Sequence, residues 1–209
     1  MWQIFIGSII LSIIHALIPN HWLPLIAIAK AEKWSKPVAL MATLVSGLSH
    51  VLSSLVIGLI LGIIGYKLSK SYTDLTEVIA ATILVIMGII YIILDLRKHS
   101  HHHEHFKNPE KLKKKSPWAI IMTLSIAMFF TPCLEIEAYY FKAGIYGWSG
   151  ILLVSLVYLV ITLLIMSTLV YLGLSGINKF KSHFLEHHDK LLSGLVLLVL
   201  GIVAYFVKY

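Results

Sequence analysis

The chain has 209 residues, of which 58% are hydrophobic and 13% charged, with a formal net charge of +7. Its mean hydropathy is +0.88. Ordinary soluble domains are roughly 45–50% apolar and about 25% charged, so the composition excludes a typical soluble enzyme and points to a polytopic membrane protein. The excess charge sits in short loops between apolar runs, which argues topology and not nucleic-acid binding.

A bilayer core takes about 20 apolar residues per helix. Six runs meet that need, at about 2–29, 37–65, 75–96, 117–141, 148–174 and 190–207. The reading is an all-α membrane protein with six transmembrane helices. Residues 1–30 do not read as a secretory signal, because no positive segment precedes an apolar run that is itself too long. With six spans, the loops at about 30–36, 97–116 and 175–190 share one side and carry 13 of the 17 Lys and Arg residues. Positive residues stay in the cytoplasm. Both termini are therefore expected outside, with the protein in the plasma (inner) membrane and the bilayer as its solvent.

The first run contains "HALIPNHWLP", residues 15–24. Pro19 has no N–H and crowds the carbonyl of His15, and Pro24 does the same to Asn20. A broken helix in lipid must find partners in protein or line a wet cavity. His15 and His21 are six residues apart, about 9 Å and about 120° on a continuous helix, too far to grip one ion. Unwinding at Pro19-Asn20 brings them within reach, so His15, Asn20 and His21 are candidate metal ligands. The alternative is that the two imidazoles merely hydrogen-bond the broken backbone.

The second run places Thr43, Ser46, Gly47, His50, Ser53 and Ser54 on one helical face. His50, an ionisable group at mid-span, is a candidate site residue. Gly58 and Gly62 form a GxxxG pair suited to close helix packing.

Residues 97–116, "RKHSHHHEHFKNPEKLKKKS", separate residues 1–96 from residues 117–209. Three spans on each side give the halves opposite orientations. "HALIPNHWLPLIAIAKAEKW" in the first half answers "MFFTPCLEIEAYYFKAGIYGW" in the second. The expectation is two inverted three-helix repeats with broken first and fourth helices and a transport site at their interface. The tract His99, His101, His102, His103 and His105 reads as a cytoplasmic metal collector. His183 and His187, one turn apart near His188, can chelate or lie on a surface helix.

In the fourth run Glu135 and Glu137 follow Pro132 and Cys133. A mid-span carboxylate costs roughly 2.5–3.5 kcal/mol, which invites a cation or a proton. Two residues apart, they face different ways on an intact helix. Cys133 is a candidate soft ligand or a small buried hydrophobe. As the single cysteine, it allows no two-thiol redox cycle within one chain.

"HALIPNH" resembles the H-x4-D-H helix signature of nickel/cobalt permeases, with Asn20 where they carry Asp. "GLSHVLSS" is similar to their next histidine-bearing helix, and "FFTPCLE" to a motif of related efflux proteins. The six-span layout and histidine loop resemble the nickel/cobalt efflux and urease-accessory membrane proteins of the lysine-exporter superfamily. The resemblance implies transport of Ni²⁺ or Co²⁺ along a central path holding His15, Asn20, His21 and His50. Asn for Asp removes a negative charge, for which Glu135 is the candidate replacement.

The expected function is transition-metal transport, not enzymatic catalysis, with export favoured by the inward histidine loop. The cargo is Ni, Co, Zn, Cu or Fe, no cofactor is permanently bound, and a homo-oligomer is compatible. Two alternatives remain open. One is a carrier of another small solute on the same scaffold. The other is a membrane di-iron enzyme using His101-x3-His105 and "HFLEHH".

Overall fold

The structure is a computed structural model that describes residues 1–97, 116–176 and 189–206. Within them it is helical: α1 (Trp2–Leu17), α2 (Pro19–Ala31), α3 (Lys36–Ser71), α4 (Thr73–Arg97), α5 (Pro117–Phe129), α6 (Leu134–Gly144), α7 (Gly147–Leu174) and α8 (Asp189–Phe206). The described residues contain no strand. Among the described residues, four stretches are long and apolar enough to cross a membrane: Trp2–Ala31, Lys36–Ser71, Asp74–Arg97 and Gly147–Leu174. Pro117–Phe129 and Ser193–Phe206 are shorter apolar helices. The histidine tract and the 183–188 cluster lie outside the described residues.

Helix ends follow local chemistry. Proline opens α2, α3 and α5 at the first or second position, where its missing N–H has no helical partner to lose. Gly176, at φ +83° just beyond α7, takes the left-handed conformation that closes a helix C-terminus.

Two interruptions shape the centre. Ile18 is extended (φ −61°, ψ 125°) and parts α1 from α2 at Pro19. Its N–H donates to the His15 carbonyl at 3.1 Å, so the oxygen that Pro19 frees is satisfied locally. The Trp22 indole N–H reaches back to the Leu17 carbonyl at 3.2 Å and ties α2 to the end of α1. Pro24 behaves differently from expectation. It lies inside α2 without ending it, because a proline one turn into a helix disturbs only carbonyls near the N-terminus. The second interruption follows Phe129. Pro132 lies in it, and Cys133 is extended (φ −95°, ψ 100°) as the N-cap of α6.

The packing is inside out relative to a soluble protein. On α3 the small and polar stripe of Thr43, Ser46, Gly47, His50, Ser53 and Ser54 is buried. Leu44, Leu48, Leu52, Val56, Ile60 and Ile64, four residues apart, are exposed on its outer face. On α7, Leu152, Leu156, Val160 and Leu164 are likewise exposed, while Tyr158 and Thr162 are buried. Water would reverse this arrangement; lipid favours it, since tails solvate leucine as well as a core does. The chain fits a multi-pass membrane protein.

Helices α3, α6 and α7 form the centre, with α1 and α2 against α7, α5 against α3, and α4 against α8. Glycine makes the closest approaches. A Cβ on Gly58 would strike the Tyr140 ring, and one on Gly65 would strike the Phe141 carbonyl. The Gly58/Gly62 pair is therefore a seat for α6 and α7, as its spacing suggested. Between α4 and α8, Gly88 and Gly194 face each other's backbones.

Candidate metal centre

The two interruptions meet beside α3. His15 comes from the last turn of α1, His21 from the first turn of α2, and His50 from the middle of α3. Cys133 caps α6 and Glu135 lies in its first turn. His15, His50, Cys133 and Glu135 are all buried. His21 is partly exposed.

The three imidazoles converge. Ring centroids are 4.5 Å apart for His15–His21, 4.6 Å for His21–His50 and 5.4 Å for His15–His50. The His15 and His50 Nε2 atoms are 3.2 Å apart. One nitrogen from each ring lies within 4.8 Å of the other two, the spacing of atoms that can share one ion. The break at Pro19 therefore achieves what a continuous helix forbids, and His21 meets His15.

A second set of atoms lies on the other edge of His15. The Cys133 Sγ is 3.1 Å from His15 Nδ1 and faces Glu135 Oε2 at 2.8 Å. His15, Cys133 and Glu135 also fit within 4.8 Å. Glu135, the carboxylate expected with the histidines, lies with Cys133 on the Nδ1 side of His15.

Neighbouring groups hold these side chains in place. The His50 Nδ1 lies 3.4 Å from the Met128 carbonyl. Residue 128 is four before Pro132, so its carbonyl is the one that proline cannot bond. The Cys133 backbone N–H donates to Ser54 Oγ at 2.9 Å, satisfying a helix N-cap amide from another helix. Tyr91 on α4 lies near Glu135. Tyr158, fully buried on α7, sets its ring 5.7 Å from that of His15 at a tilt of 49°.

Of the remaining candidates, Glu137 is buried with its Oε1 unpartnered among the described residues. It belongs to neither ligand set. The side chain of Asn20 lies outside the described residues, although its backbone is in the first turn of α2. Sequence reasoning placed Ser54 on the polar stripe without its partner, and it missed Tyr158 and Tyr91. A single tyrosine in an apolar run carries no signal of what it will face.

No protein-family model, curated protein or solved structure matches this chain.

Proposed function

We propose that the chain is a membrane carrier of a divalent transition-metal ion. The observation that carries this reading is the meeting of His15, His21 and His50 at a helix interruption, with one nitrogen of each within 4.8 Å of the others. Imidazole ligands suit zinc, copper, nickel, cobalt and iron, and ionisable groups buried among apolar helices mark ion pathways by default. The resemblance of "HALIPNH" to the nickel/cobalt permease signature favours Ni²⁺ or Co²⁺ within that group.

In this reading α1 with α2, and α5 with α6, are the broken first and fourth of six spans, arranged as two inverted three-helix repeats. The helix pairs support it. Exchanging the halves turns the α1–α7 pair into α5/α6–α3, while α3–α7 and α4–α8 map onto themselves. Each break also carries a proline, Pro19 in one and Pro132 in the other. A site where two interrupted helices meet is the arrangement that alternating access uses. The lysine distribution sets the basic loops inside the plasma membrane, and the histidine tract at 99–105 would gather cargo there for export.

The test is whole-cell content of nickel, cobalt, zinc, copper, iron and manganese. Cells express the wild type, His15→Ala/His21→Ala, or a deletion of residues 99–105. A metal that falls with the wild type and recovers in the double variant supports export through this site. A rise reversed by the same variant supports import. No change in any metal, with membrane insertion verified, refutes metal transport.

A further inference from the structure

We infer that the centre holds two chemically unlike cation positions that share the His15 ring. The inference rests on the metal-carrier reading above and assigns its ligands. The first position is the three-histidine set at His15 Nε2; the second is His15 Nδ1 with Cys133 Sγ and Glu135.

Geometry sets the two positions apart. The three-histidine set gathers on the Nε2 side of His15, 3.2 Å from His50 Nε2, whereas Cys133 Sγ lies 3.1 Å from His15 Nδ1 and donates to Glu135 Oε2 at 2.8 Å. One ring thus joins the two positions.

Charge separates them further. Three neutral imidazoles leave a divalent ion with its full charge. A thiolate and a carboxylate neutralise it, which matters where few other charges are at hand. A sulfur, nitrogen and oxygen set of this kind takes borderline and soft ions and rejects magnesium, calcium and manganese. On loading, the sulfur–metal bond forms as the S–H bond breaks, and the proton leaves to solvent. No electron is transferred.

Co²⁺ tests this in the purified full-length chain, because Cys133 is its single cysteine and any thiolate-to-cobalt charge-transfer band in the near ultraviolet arises there. The band is expected in the wild type and lost in Cys133→Ser and in His15→Ala. It is expected to persist in His21→Gln/His50→Gln, whose amides keep polar groups in place, with monodisperse elution required of every variant. Loss of the band in the His21/His50 variant would overturn two positions in favour of one. Absence of the band in the wild type would overturn the thiol position, while a metal-content change in cells would leave the carrier reading standing.

Discussion

Replacing Ser54 by alanine removes one oxygen from the centre of the molecule and no candidate ligand. In the structure Ser54 Oγ accepts the Cys133 N–H at 2.9 Å, and both residues are buried. The Cys133 amide caps α6 and has no partner within that helix. Leaving a buried donor unsatisfied costs about 1–3 kcal/mol. Hydrogen bonds between membrane helices average only about 0.6 kcal/mol and reach about 1.7, because the unfolded chain in lipid also finds partners. The two figures together set an expectation of about 1–2 kcal/mol, or roughly a five- to thirtyfold loss in the folding equilibrium. Reversible denaturant unfolding in detergent micelles measures it. Cobalt affinity should also fall, because Cys133 loses the bond that fixes its backbone, while Ser53→Ala, whose hydroxyl donates to the His50 carbonyl of its own helix, should leave affinity unchanged. A Ser54→Ala protein as stable as the wild type, with full cobalt affinity, would refute the claim that this bond holds α6 in place.

Pro132→Ala supplies an N–H that can bond the Met128 carbonyl and draw α5 toward α6. It should keep or raise thermal stability yet weaken cobalt binding, as read by titration of the charge-transfer band; unchanged binding would detach the break from the site. Gly88→Val adds a Cβ that would fall 2.7 Å from the Gly194 carbonyl oxygen, with two methyls beyond it, and overpacking of this kind costs about 1–3 kcal/mol. Thermal unfolding should show that loss, with the cobalt spectrum of surviving protein intact. Cobalt occupancy should fall as pH is lowered, because protons compete for imidazole nitrogen and thiol sulfur. Equilibrium dialysis across mildly acidic and neutral buffers tests the sign, and tighter binding in acid would argue against nitrogen and sulfur ligands.

Much of the architecture was written in local pattern. Apolar runs set the long helices within a few residues: the run at 148–174 became Gly147–Leu174, and that at 75–96 became Thr73–Arg97. The polar stripe of α3 was legible because helical periodicity alone decides which residues share a face. Proline announced both interruptions, since a missing N–H acts within one turn regardless of fold. Pro24 marks the limit of that reasoning, because the same ring is tolerated near a helix start.

What the sequence could not decide was which polar groups meet. Spacing put His15 and His21 about 9 Å and about 120° apart on one continuous helix, and only the Ile18 break turned them together. Nothing in chain order indicated that Cys133 and Glu135 would stand on the Nδ1 edge of His15, 118 residues from Cys133 in sequence. Nor did it indicate that Ser54 would accept an amide 79 residues away. Periodicity and propensity act over a turn or two of helix. Which groups stand at each edge of the His15 ring depends on how the two broken helices pack beside α3, and only tertiary packing supplies that.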